Sequence, residues 1–168
     1  DPVTAGLVDS LPRPGGSITG ITNMAAILSG KRLELLKETM PKVSRIAVLW
    51  DPKAPGSVPQ GQESQLPARE LGLQLYSMEV STVDRYEPAF KEVINAHNAA
   101  IWVTLNPLAN SNQKLIAELA IKHRLPALTT VRLGPQLGAL ASYGSDYLEL
   151  ARSSAVYIDK ILKGAKPA

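Results

Sequence analysis

The chain has 168 residues, 45% hydrophobic and 20% charged, the make-up of one ordinary globular domain with enough material for a real core. Its 18 Lys and Arg exceed its 15 Asp and Glu to give a formal charge of +3, and aromatics are only 5%; the excess is scattered, which excludes a basic footprint for nucleic acid or membrane and a base-stacking surface. Cysteine is absent, so disulfides and thiolate metal sites are excluded, and no apolar run approaches the roughly 20 residues of a bilayer-spanning helix.

In chain order, Asp1 suits the cap and Pro2 the first turn of a helix over residues 1–11, whose Val3, Leu7, Val8 and Leu11 share a face. PRPGGS at 12–17 breaks it. Ile18–Thr22 reads as a short strand. Ser29 is placed to cap a helix carrying Leu33, Leu36 and Met40 at helical spacing, and Pro41 ends it. The continuous apolar run Ile46–Trp50 predicts a strand buried on both faces of a parallel sheet. Residues 51–61 form a loop rich in Pro, Gly and Ser. The helix after it is expected to end at Gly72, with Pro67 either starting or kinking it.

Leu73–Val80 is the next strand. Asp84 with Glu87 has the spacing of a capping box, followed by Phe90, Val93, Ile94 and His97 on one face. Ala100–Leu105 is another buried strand, closing at Asn106-Pro107, and a helix is expected from Asn110 or Ser111 with Leu115, Ile116, Leu119 and Ala120 inward. Pro126–Val131 and Leu140–Tyr143 are the last strands, split by a Gly134-Pro135 turn. Asp146 with Glu149 opens a final helix, Leu148, Ala151, Ala155, Ile158 and Leu162 facing inward, and Gly164 closes it.

Strands alternating with helices predict an α/β fold: a three-layer sandwich around a mostly parallel sheet of about five to six strands. Ligands of such sheets sit beyond the carboxyl ends of the strands, which selects residues 51–57, 106–108, 129–132 and 142–144. These loops offer hydroxyls, a carboxylate, a carboxamide, a guanidinium and a phenol, but no catalytic set. His97 and His123 fall inside or at the end of helices, where packing or a dipole contact is the ordinary role. No G-x-S-x-G elbow, P-loop or G-x-G-x-x-G turn is present, and Gly15-Gly16 precedes a strand instead of following one. Asp51-Pro52 reads equally as a plain turn or as a ligand contact, and Asn106-Pro107 has the same two readings. Tyr143 offers a ring face and a hydroxyl at a strand mouth; Ser57 and Thr130 are ordinary loop residues that can also bind; Arg132 suits a carboxylate or simply solvent. The residues alone therefore point to binding and not to a reaction, with no cofactor and no metal expected.

Four blocks carry a resemblance: DPVTAGLVDSLPRPGGSITG, LSGKRLELLKETMPKVSRIAVLWDP, GALASYG and YIDKILKGAKPA. Together they resemble the ABC-transporter substrate-binding proteins of the type 1 periplasmic-binding-protein fold, near the tryptophan- and tyrosine-binding branch, over nearly the whole chain. Members have two α/β lobes that close on a small solute and deliver it to a membrane permease. The resemblance implies that residues 1–16 are the last helix and connector of a first lobe, that 17–168 are the second lobe, and that 17–23, with Thr19 and Asn23, form the hinge. The chain is then expected to be a piece of a longer exported protein, periplasmic or otherwise extracytoplasmic, its signal peptide outside this sequence.

The resemblance further implies ligand contacts at Asp51, Ser57, Asn106, Thr130 and Tyr143, with Asp1 at the cleft rim. Val131 departs from amino-acid binders that carry an Asp there for the ligand's amine, and Asp51 then supplies the anionic contact. The expected partners are a small amino-acid-like or polar organic solute, the cognate permease, and a second copy through the N-terminal helix; nucleic acid is not one. Two other readings share the fold: the effector-binding domain of a transcription regulator, and a small α/β enzyme acting through Asp51 or Asn106.

Overall fold

The computed structural model describes every residue except Asp1, Thr4, Asn98 and Ala168. The chain divides into two compact units: a central one, Ala25–Gly144, and a terminal one made of Asp1–Met24 with Ser145–Ala168. Residues 17–24 and 145–168 thus group with the N-terminal segment and not with the sheet.

In the central unit the elements run α1 (Ser29–Thr39), β1 (Arg45–Trp50), α2 (Ser57–Glu70), β2 (Gln74–Glu79), a 3-10 turn (Val83–Arg85), α3 (Tyr86–Asn95), β3 (Ala100–Val103), α4 (Pro107–Ser111), α5 (Gln113–Lys122), β4 (Ala127–Thr129), α6 (Gly134–Leu137) and β5 (Ala141–Ser142). All five strands are parallel, in the order β2-β1-β3-β4-β5. Alternation along the strands sorts their side chains into two cores. Ile46, Val48, Trp102 and Leu128 pack with Leu33 and Leu36 of α1 and Ala68 of α2. Ala47, Leu49, Ile101 and Val103 pack with Phe90 and Val93 of α3 and Ile116 and Leu119 of α5. The result is the expected helix–sheet–helix sandwich.

Several local expectations give way to tertiary contacts. α2 starts at Ser57 and runs through Pro67, whose ring faces Gly30 of α1; a Cβ on Gly30 would come within 3.0 Å of it. The helix still stops where expected, with Gly72 at φ 65°. Leu28, not Ser29, takes the N-cap position of α1, without a side-chain bond. The 84/87 capping box does not form, because the Glu87 carboxylate lies 2.9 Å from the Lys122 ammonium on α5. The helix carrying Leu115, Ile116, Leu119 and Ala120 starts at Gln113 after Asn112, slightly beyond the expected Asn110 or Ser111, because a separate short helix, α4, intervenes; Asn106 caps α4, its Oδ1 accepting from the Ala109 N–H at 2.8 Å. The expected Gly134-Pro135 turn is the start of α6.

The terminal unit contains α7 (Tyr147–Leu162), capped as expected by Asp146, whose Oδ1 accepts from the backbone of Leu148 and Glu149. None of its residues is buried, so the inward-facing stripe expected there is solvent-exposed, Ile158 at 57% and Leu162 at 82%. Among the described residues 2–11 form turns instead of a helix, and Ile18–Thr22 is extended without pairing to any strand. Asn23 donates to the Tyr147 hydroxyl at 3.3 Å, and its carbonyl accepts from Ser145 Oγ, so the segment entering the central unit and the one leaving it are tied together. Thr19 is half-buried in the first of these.

The end of β5 lies so close to β4 that a Cβ on Gly144 would sit 2.1 Å from the Thr130 carbonyl oxygen. Gly144→Ala should therefore destabilise the chain by about 1–3 kcal/mol through overpacking, read as a lower urea midpoint at unchanged slope, whereas Gly164→Ala, which meets no neighbour within 4 Å, should leave the sheet's local packing intact.

Candidate functional site

β1 pairs with β2 on one side and β3 on the other, so the chain's connections diverge between β1 and β3. This is the switch point at which an open parallel sheet leaves a crevice beyond its carboxyl ends. The segments that flank this switch point are residues 51–57 after β1 and 104–106 after β3.

The last rung between the two strands is the Thr104 N–H donating to the Leu49 carbonyl at 3.0 Å. Beyond it, side chains replace the ladder. Thr104 Oγ1 also donates to the Leu49 carbonyl, at 3.1 Å. Its proton is thereby used, so Ser57, 3.3 Å away, is the donor between the two hydroxyls. Ser57 Oγ in turn accepts from the Asp51 N–H at 3.4 Å. Asn106 Nδ2 donates back to the Thr104 carbonyl at 3.2 Å and faces its hydroxyl at 3.4 Å. Ser57 and Thr104 are fully buried.

A second set of bonds comes from one residue. Gln60, 1% exposed, accepts from the Leu105 N–H at 2.9 Å and donates to the Leu105 carbonyl at 2.9 Å and to the Gly56 carbonyl at 2.7 Å. Every valence of its carboxamide nitrogen is filled, and both polar groups of Leu105 are satisfied by one side chain.

Asp51 is buried at the mouth of β1, with Oδ1 accepting from the Lys53 N–H at 2.9 Å. Tyr86, at the start of α3, is buried near it. Burial first, and then the Asp51 charge, push the phenol far up, which keeps it neutral. The crevice thus holds a carboxylate, hydroxyls and two carboxamides, and none of Asp51, Ser57, Gln60, Thr104 and Asn106 is cationic. That donor set can bind ammonium, hydroxyl and amide groups. Among the described residues no group of three or more His, Cys, Asp or Glu is placed to hold a metal. His97 lies past the end of α3, and His123 caps α5 beside Phe90 and Glu87.

The structure therefore brings Asp51, Ser57 and Asn106 into one hydrogen-bonded group. Thr130 is buried next door, in a recess of about 10 Å³ shared with Asn106, Thr104 and Gln113. Tyr143 stands apart just past β5, half-buried, its carbonyl accepting from Arg32 Nε at 2.8 Å. Asp1 lies outside the described residues. A larger groove, about 250 Å³, opens under the first half of α2 against Trp50 and Leu75; it shares Ser57 with the network but none of the other polar groups above. Gln60, Thr104, Arg32 and Tyr86 were not singled out from sequence. Gln60 was discoverable: Ser57, Gln60 and Ser64 recur at helical spacing and are all buried, while Val58 and Leu66 of the same helix are exposed.

Comparison with known proteins identifies the family and the fold. The family described as ABC transporter substrate binding protein matches residues 1–168. A tyrosine-binding protein of Clostridioides difficile (strain R20291) is 27% identical over 164 residues, covering 98% of this chain and 47% of that protein. The solved structure of an ABC domain in complex with L-Trp from Streptococcus pneumoniae superposes with a TM-score of 0.89 at 27% identity, over 100% of this chain and 56% of the other. A conserved domain protein from Vibrio cholerae gives a TM-score of 0.89 at 26% identity, over 99% and 55%. The chain spans about half the length of the relatives it matches.

The hydroxyl chain is testable. Thr104→Val keeps the shape and the Thr104 N–H bond to the Leu49 carbonyl, but removes the second donor to that carbonyl and leaves the buried Ser57 hydroxyl proton without its acceptor, and should cost about 1–3 kcal/mol in urea unfolding. Thr104→Ser should lose less than half of that.

Proposed function

The chain belongs to the ABC transporter substrate-binding proteins, a family of solute-binding and extracytoplasmic components, and from that premise we propose that it forms the second lobe of such a protein. In this reading residues 17–168 carry the lobe, its α/β body is Ala25–Gly144, and residues 17–23, with Thr19 and Asn23, are the hinge. The lobe closes with a first lobe on a small solute, which a cognate permease then imports; the protein works in the periplasm or its equivalent and catalyses no reaction. The observation that carries the proposal is the polar crevice at the β1/β3 switch point, where Asp51 faces the strand ends with one carboxylate oxygen engaged among the described residues.

The solute class follows from that carboxylate and from the relatives. A tyrosine-binding protein and an L-Trp complex are among the chain's matches, and a buried carboxylate without a cationic neighbour in its network selects an ammonium. We assign Asp51 as the acceptor for the amine of an amino-acid-like solute, with Ser57, Asn106, Thr130 and Tyr143 around it and Asp1 at the rim. Asn106 has the least to offer, since its side chain is already committed to Ala109 and Thr104. A contact between two copies through Val3, Leu7 and Leu11, each more than a third exposed, is the remaining partner proposed; sedimentation of a monomer at high micromolar concentration removes it.

Calorimetry tests the reading. A two-lobed protein carrying this sequence should show a melting temperature raised by millimolar L-tyrosine or L-tryptophan, and residues 1–168 alone should bind at least about tenfold more weakly because half the cleft is missing. Asp51→Asn retains the turn with Lys53 and should weaken amino-acid binding by about tenfold or more, roughly 1.4 kcal/mol, at a nearly unchanged urea midpoint. Tight binding by the monomeric 168-residue chain would sink the two-lobe proposal, and equal affinity in Asp51→Asn would sink the role of Asp51.

A further inference from the structure

Strand β3 ends at Val103, yet the residues that face the crevice come after it. Among the described residues Leu105 pairs with no strand: β1 ends at Trp50, and the Thr104–Leu49 bond is the last between β1 and β3. Its N–H and carbonyl are instead both taken by the Gln60 side chain, which approaches from α2 and imitates the two-way pairing of a strand neighbour. The same carboxamide is fixed at its own end by the Gly56 carbonyl, one residue before Ser57. One buried side chain therefore joins the loop after β1, the first turn of α2 and the loop after β3.

We propose that Gln60 is the positioning residue of the solute site: it holds the Leu105–Asn106 loop beside Asp51, so that both walls of the crevice keep one spacing. This rests on the reading of the crevice as the solute site, but the geometry it describes does not depend on which solute binds. The role requires a carboxamide. Glutamate would aim a carboxylate at two carbonyl oxygens that Gln60 now meets with donors at 2.7 and 2.9 Å, and it regains a donor only when protonated. Methionine would fill the space without bonding to Leu105 at all.

The test is amide hydrogen exchange on the full chain, with protection factors corrected for the intrinsic pH dependence. In Gln60→Met the Leu105 amide should lose protection by about tenfold or more, while the Ile101 amide, which donates to the Pro126 carbonyl within the sheet, keeps its own. In Gln60→Glu one carboxylate oxygen can still accept from the Leu105 N–H while the other faces the Leu105 and Gly56 carbonyls, so Leu105 protection should fall less than in Gln60→Met at pH 7.5 and recover at pH 5, since a carboxyl facing carbonyls has its pKa raised and regains a donor when protonated. Titration with L-tryptophan and L-tyrosine should show affinity in Gln60→Met reduced by about tenfold at equal folded fraction. Unchanged Leu105 protection in both variants overturns the proposal, as does parallel loss at Leu105 and Ile101, which would make Gln60 ordinary core packing. If the wild-type protein binds neither amino acid, the proposed solute class falls, and the exchange measurements still decide the clamp.

Discussion

The site is organised by a shortage of partners. A parallel strand has its backbone groups satisfied by its neighbours, but where β1 and β3 diverge the ladder stops at Leu49 and Thr104. The next residues still lie in a buried environment, where an unpaired N–H or C=O costs as much as a lost hydrogen bond. Thr104, Ser57, Gln60 and Asn106 supply what the missing strand does not. A polar cluster inside an otherwise apolar sandwich is therefore no anomaly. It is what a switch point in a parallel sheet demands, and once formed it leaves a crevice of fixed shape.

A comparable economy operates at the edge of the central unit. Arg32 is 1% exposed, and burying a guanidinium is expensive unless its donors are used. Nε donates to the Tyr143 carbonyl at 2.8 Å and Nη1 to the Ala25 carbonyl at 2.6 Å. Those residues stand at the two places where the chain enters and leaves the α/β body. The same cation thus closes the body's perimeter from inside. The bond from Ser145 to the Asn23 carbonyl and the bond from the Asn23 carboxamide to the Tyr147 hydroxyl hold the adjoining segments in the terminal unit. Tyr143 emerges from this as a residue whose backbone has a structural task, whatever its phenol contacts.

Much of the fold was legible because burial writes itself into sequence. RIAVLW and AIWV are uninterrupted apolar runs, and each is a central strand. The rule that ligands sit beyond strand ends selects Asp51, Ser57 and Asn106, and the three share one hydrogen-bonded group. The failures share one cause. Residues 2–11, the stretch Ile18–Thr22 and the apolar stripe of α7 have the right spacing for elements or faces that need a partner surface, and spacing cannot report whether one is there. The Asp84/Glu87 cap was lost to a competing ion pair 35 residues away. Gln60 was passed over because a polar residue on a helix is ordinarily read as solvated. Only the inverted pattern of α2, with Val58 and Leu66 outside and Ser57, Gln60 and Ser64 inside, betrays it.

That inversion also separates two kinds of residue within the crevice. Gln60, Thr104 and Asn106 have committed their donors to the protein, so they have less to offer a solute than Asp51 and chiefly set the wall against which it would rest. Asp51 is different, since its carboxylate meets one backbone N–H and is otherwise held near a phenol that burial and the neighbouring charge keep neutral. Selection should therefore concentrate at Asp51 and shape at Gln60, with the two readable independently. In the proposed solute site, a change at Asp51 would alter which charge is accepted while the walls stay put, and a change at Gln60 would alter how well any solute is gripped without changing its class. A site divided in this way can shift its preference among related solutes by varying the open group while the saturated frame that keeps the sheet's ends buried is conserved in place.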